Sequence, residues 1–81
     1  MLTISVISPE ATLFEGKASS LTAPAFDGEV GILENHAPMV TTLGKGTLTV
    51  GDGASRFAVE GGFLQVVDNV VRVVTEKASR L

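Results

Sequence analysis

Few residues in this chain are of types that do chemistry, and their spacing limits what that chemistry can be. His36 is the single histidine, and there is no cysteine. Glu29 and Glu34 lie close before His36 in sequence, and an imidazole with two carboxylates is a minimal donor set for a metal ion. All three sit on one short segment, however, and there is no second histidine at ligand spacing, so the residues imply no metal site and no cofactor. No serine lies in a recognisable nucleophile motif, and none is paired with a base. Gly44-Lys45-Gly46 places a lysine between glycines, yet the rest of a phosphate-binding loop and its following helix are missing, so it reads as a turn. Catalytic residues are therefore not expected. His36, beside Pro38, reads as an orienting or interface side chain.

The segment carrying these residues is itself unusual. From Asp27 to Val40 it reads DGEVGILENHAPMV. Gly28 and Gly31 can adopt positive φ, and Asn35 is one of the few other residues that tolerates it. Pro38 fixes its own φ and pushes Ala37 towards an extended conformation. The expectation is a shaped loop. Between Lys17 and Lys45 there is no lysine or arginine, only Asp27, Glu29 and Glu34, so the net charge of −3 resides here. On charge alone, a docking role and an ordinary solvated loop are equally good readings.

With 81 residues, 44% of them hydrophobic, the chain reads as one domain over residues 1–81. At this length roughly 60–65% of the unfolded surface is buried. Mean hydropathy is +0.37, but the apolar residues come in short stretches, far below the ~20 needed for a membrane-spanning helix. No basic leader precedes the first strand-like run, and the absence of cysteine suits an intracellular compartment. An acidic balance argues against a nucleic-acid partner.

Period-two alternation dominates. Leu2, Ile4 and Val6 alternate with Thr3 and Ser5, and Ser8-Pro9-Glu10 punctuates. Ala11 to Glu15 reads as a returning strand ended by Gly16, and Lys17 to Ala23 as the next. Met39 to Leu43 and Thr47 to Val50 follow. Gly51-Asp52-Gly53 forms a tight turn into Arg56 to Val59. Gly61-Gly62 reads as a bulge where a strand bends at a corner. Phe63 to Val67 and Val70 to Thr75 flank Asp68-Asn69, a two-residue turn suited to positive φ. In the last of these strands Val71 and Val73 point inward and Arg72 outward. Glu76 to Leu81 is the one stretch that reads as the start of a helix. The expected fold is all-β: an antiparallel sandwich or flattened barrel of about eight to ten short strands.

The segments DGEVGILENHAPMVTTLGKGTLTV and RFAVEGGFLQVVDNVVRVVTEKA resemble the N-terminal β-sandwich domain of the epsilon subunit of rotary F-type ATP synthases. The matching positions are Gly28, Glu29, Gly31, Ile32, His36, Ala37, Pro38, Gly61, Gly62, Phe63, Leu64, Val66, Asn69 and Val71. Ser8 and Leu13-Phe14-Glu15-Gly16 fit the family's first hairpin. Asn35 stands where the family usually has glycine, and Glu60 where a small residue is common. The family's two-helix hairpin would begin where this sequence stops, at Leu81.

The resemblance implies a non-catalytic central-stalk subunit that joins gamma to the ring of c subunits, peripheral to a membrane. The cytoplasmic face of a bacterial inner membrane is preferred to a chloroplast-type one. By position, Glu29, Ile32, Glu34 and Asn35 would face the c ring, whose polar loop carries an arginine in the family. Ser8, His36, Met39, Val40 and Thr41 would face gamma. Without the hairpin, neither inhibition of ATP hydrolysis nor ATP binding is expected. The alternative from another class, a small ligand-binding β-sandwich module, would be expected to expose tryptophan or tyrosine; the chain has neither.

Overall fold

A computed structural model describes residues 1–51, 53 and 55–81. The alternation resolves into eight strands: β1 (Leu2–Ile7), β2 (Thr12–Ala18), β3 (Ser20–Ala25), β4 (Gly28–Leu33), β5 (Met39–Thr42), β6 (Lys45–Val50), β7 (Ser55–Val67) and β8 (Val70–Arg80). No helix is present among the described residues.

Two layers arise because β7 and β8 are each long enough to belong to both. The first part of β7 pairs with β6 through Glu60, and the second part pairs with β5 from Phe63. β8 follows β7 along almost all of its length. One layer is therefore β2-β1-β8-β7-β5, and the other β8-β7-β6-β3-β4. β1 and β8 run parallel, whereas the other ladders between described strands are antiparallel.

Gly61-Gly62 makes the corner where β7 changes neighbour. Their φ angles are 73° and 103°, a region closed to most side chains. A bend was expected here together with a bulge; the bulge is absent. Glu60 pairs with Lys77 and Gly62 with Thr75, so the register with β8 is the same on both sides. Backbone twist alone makes the turn. At Gly62 a Cβ would lie 2.7 Å from the Thr75 Cα and would overlap the Val74 carbonyl. The Leu43 N–H donates to the Gly62 carbonyl at 2.9 Å, tying the corner to the β5–β6 connection. Thr75, buried at this corner, donates its hydroxyl to the Lys77 carbonyl at 2.8 Å.

Inward positions follow the expected parity. Leu2, Ile4, Val6, Leu64, Val66, Val71 and Val73 from one layer meet Leu21, Ala23, Ile32, Leu48, Val50, Phe57 and Val59 from the other. Phe57 is the largest fully buried side chain. Phe14 meets it edge-on at 6.1 Å, and the Arg80 guanidinium covers its ring at 5.4 Å.

Several boundaries differ from expectation. Gly16 does not end a strand: it pairs with Ile4 in the middle of β2, and its missing Cβ leaves room for the Phe14 ring, 3.1 Å away. The tail is not helical. β8 continues to Arg80 against Phe57 of β7, because six residues cannot nucleate a helix alone while β7 offers them a ladder. The segment after Asp27 is largely a strand, β4, paired with β3 from Gly28 to Leu33. Gly28 (φ 135°) and Asn35 (φ 64°) supply positive φ beside its two ends, and Gly31 is not among the positive-φ glycines. Gly44 and Gly46 serve close approach: a Cβ would lie 3.0 Å from the Ala25 carbonyl oxygen at the first and 2.9 Å from the Pro24 Cβ at the second. Of the expected Gly51-Asp52-Gly53 turn, Gly51 and Gly53 have positive φ. Asp52 lies outside the described residues, as does Ala54.

The Asp68-Asn69 turn is as expected, with φ of 49° and 63° between paired Val67 and Val70. Asn69 does more than turn the chain. Its Oδ1 accepts the Asn35 N–H at 2.6 Å, and its Nδ2 donates to the Asn35 Oδ1 at 3.3 Å. Its carbonyl accepts the Thr3 N–H at 2.7 Å. Next to this clasp the Met1 ammonium pairs with the Glu34 carboxylate at 2.9 Å. Three separate parts of the chain are thus joined at one end of the sandwich.

Two sets of variants check this description. Gly62→Ala should lower unfolding free energy by about 3 kcal/mol or more, since neither its φ nor the facing backbone can give way. Gly31→Ala, with nothing within 4 Å of the added methyl, should be neutral or up to about 1 kcal/mol stabilising. Equal urea midpoints for the two would contradict the corner. Asn69→Gly keeps the backbone conformation and removes the clasp. It should cost about 1–2 kcal/mol and speed hydrogen exchange at the Asn35 amide; unchanged exchange there would show that the clasp is not a real restraint.

Candidate partner-binding surfaces

β4 ends one layer, so its outer side is a free edge. Glu29, Gly31 and Leu33 alternate outward along it, while Val30 and Ile32 turn inward. Ile32, expected to face a ring, is 0% exposed and pairs with Leu21 in the core. A side chain with no accessible surface makes no outside contact, so Ile32 drops out of the surface set. Leu33, 65% exposed, takes its place. Glu29 and Glu34 do not form a single acidic apex. They lie at opposite ends of β4, about 15 Å apart at the normal rise per residue. This geometry also keeps Glu29, Glu34 and His36 from converging as ligands, and no cluster of three metal-binding side chains occurs among the described residues.

Near Glu29 the β3–β4 hairpin presents Phe26 at its tip, 72% exposed. The tip end of that hairpin is held firmly. The Phe26 N–H donates to the Thr42 carbonyl at 3.2 Å, and the Gly44 N–H to the Pro24 carbonyl at 2.8 Å. At the other end of β4, Asn35 is fixed by Asn69. The chain then passes through His36, whose Nδ1 contacts the Ala37 carbonyl at 2.7 Å, and enters β5.

Residues expected to face a second subunit divide by parity. Met39 and Thr41 pair with the inward residues Val66 and Leu64 and are half-buried. Val40, paired with Gln65, points outward at 69% exposure. Ser8 sits apart from His36, in the turn after β1, where its N–H donates to the Ala11 carbonyl at 2.9 Å. The two border opposite ends of one outer sheet face.

That face is the feature sequence reading missed. Phe63, Val67 and Val70 are 41%, 41% and 48% exposed, and they share it with Val40. Half-buried Ile7 and Val74, paired with each other, extend it. The signal was available in the alternation: once Leu64 and Val66 are placed inside, Phe63 and Val67 must lie outside. The opposite outer face differs. There Lys45, Glu60 and Lys77 form a charged row across three strands, beside Thr47, Ala58 and Ser79.

The family model for the ATP synthase, Delta/Epsilon chain, beta-sandwich domain matches residues 1–81. The ATP synthase epsilon chain of Leptospira borgpetersenii is 48% identical over 77 residues, covering 93% of this chain and 61% of that protein. The ATP synthase epsilon chain of Caulobacter vibrioides is 40% identical over 79 residues, covering 95% of this chain and 92% of that protein. A chain in the cryo-EM structure of Euglena gracilis mitochondrial ATP synthase, OSCP/F1/c-ring, superposes with a TM-score of 0.87 at 25% identity, covering 98% of this chain and 52% of its own. One from the Tetrahymena thermophila mitochondrial ATP synthase central stalk/c-ring shares the fold, with a TM-score of 0.80 at 18% identity, covering 96% of this chain and 65% of its own. The chain spans about three-fifths of the length of the Leptospira relative. With a fold and a family model that agree from end to end, the chain belongs to the ATP synthase delta/epsilon-chain β-sandwich family.

Proposed function

We propose that this domain is a non-catalytic part of the central stalk of a rotary ATP synthase, joining a gamma-type subunit to the c ring and helping to couple ion flow to ATP synthesis. The observation that carries the reading is the apolar outer face shared by β5, β7 and β8. Apolar side chains gathered on one face of a small sandwich mark a surface that a partner covers. Family membership supplies the partner, a gamma-type subunit. His36 and Val40 border or lie on this face, Met39 and Thr41 support its edge from within, and Ser8 marks its far end.

The β4 side is proposed to meet the ring through Glu29, Leu33, Glu34 and Asn35, with Phe26 at the hairpin tip. β4 carries no lysine or arginine, and although the Met1 ammonium occupies Glu34, Glu29 is available to basic loops, a contact that gives orientation and rate more than raw affinity. In this role the domain is peripheral to the membrane, at the cytoplasmic face of a bacterial inner membrane, as the bacterial relatives suggest. The ligand-binding alternative is less well supported, since the chain lacks tryptophan and tyrosine.

Cysteine crosslinking in the assembled complex tests the arrangement. Glu29→Cys should crosslink to c and Val40→Cys to gamma; capture of one partner by both positions would overturn the geometry. Glu29→Lys should weaken docking to the ring by about 1 kcal/mol at low ionic strength, and by less as salt is raised. A loss independent of salt would remove the electrostatic account of the β4 side.

A further inference from the structure

Gln65, Val67, Asp68, Val70 and Arg72 line a shallow cavity of about 400 Å³ on the apolar outer face. Arg72 stands well inside the sheet: Gln65 is its register partner on β7 and Ser5 on β1. Val40 faces Gln65 from β5, so the cavity is continuous with the surface assigned above to a gamma-type subunit.

Arg72 is exposed, and among the described residues no carboxylate lies at ion-pair distance from it, the one ion pair there joining Met1 to Glu34. Arg80, by contrast, is already engaged, lying over the Phe57 ring. In water an unpaired guanidinium is well solvated. Covered by a partner, it loses that water and needs an acceptor, or it costs several kcal/mol. Its planar fork suits a carboxylate in two-point contact. Asp68 on the rim opposes a multiply charged anion such as phosphate, while Val67 and Val70 provide apolar walls for the stem of a longer side chain.

We infer that the Arg72 cavity receives an aspartate or glutamate side chain of the subunit that covers this face. The inference rests on the reading of the face as the gamma-type interface. The arginine would then set the register of a contact whose apolar part is non-directional and permits sliding.

Titration of the whole subunit into F1-ATPase depleted of it tests this, with Arg72→Gln, Arg72→Lys and Val40→Asp compared. Both positions are on the surface, and matching thermal midpoints establish that the three variants are folded. Arg72→Gln should raise Kd about tenfold or more, Arg72→Lys should fall between it and the parent, and the salt sensitivity of binding should shrink in Arg72→Gln. If Arg72→Gln binds as tightly as the parent while Val40→Asp weakens, the face is the interface and the arginine idle, which overturns the inference alone. If neither variant changes Kd, the face is not the interface, and both readings fall.

Discussion

The architecture depends on one backbone constraint, the passage of β7 from one layer to the other at Gly61-Gly62. A strand of thirteen residues would span about 40 Å if straight, more than the largest dimension of this domain, 28 Å. It must bend, and a bend in the middle of a ladder normally breaks hydrogen bonds or inserts a residue. Two adjacent residues with positive φ avoid both: β8 stays in register, and the freed groups of the glycines bond to Leu43 and Gly44. The two layers share β7 and β8, so their inner faces are set against each other by covalent continuity as well as by packing. That placement lets so small a chain enclose fifteen buried apolar residues among those described. It also explains why Thr75 is buried there: its hydroxyl serves a carbonyl of the same corner.

Much of this was legible in the sequence, for a physical reason. Alternation reports which side of a strand faces the core, and in a two-layer sandwich every strand has one such side. Val71, Val73, Leu64 and Val66 were therefore readable individually. What alternation does not report is where a strand ends or which strand lies beside it. Gly16 looked like punctuation because glycine is common in turns, yet here it makes room for Phe14. Glu76 to Leu81 looked helical because polar residues and alanine suit a helix, yet pairing with β7 outweighs a weak local preference. The parallel contact of β1 with β8 pairs Thr3 with Val70 and Ile7 with Val74, from opposite ends of the chain, and no local signal marks it.

The surface was less legible than the core. Carrying a loop's residues over as a block ignores parity, and β4 shows the consequence: Glu29 and Leu33 point out while Ile32, between them, is core. The same applies to β5, where Val40 faces outward and its neighbours Met39 and Thr41 inward. The apolar outer face was missed because it belongs to no single segment. It is assembled from strands distant in sequence, each contributing only one to three side chains, and it emerges only when the pairing of β5, β7, β8 and β1 is known.

The two proposed contact regions share no residue but are mechanically continuous. β4 bears one and β5 borders the other, and the chain between them, residues 34–38, is short. At its start Asn35 is clasped by Asn69, and Glu34 is paired to the amino terminus. Beyond its far end, the bridge between Ala25 and Leu43 and the bond from Phe26 to Thr42 join the β3–β4 hairpin to β5. A connection held at both ends transmits displacement instead of absorbing it in loop rearrangement. This also accounts for asparagine in place of the family's usual glycine at position 35. Glycine would allow the same φ, but it has no side chain to receive the Asn69 amide. In a domain whose proposed work is to carry torque between two partners, a turn that is merely permitted is a weaker device than a turn that is fastened.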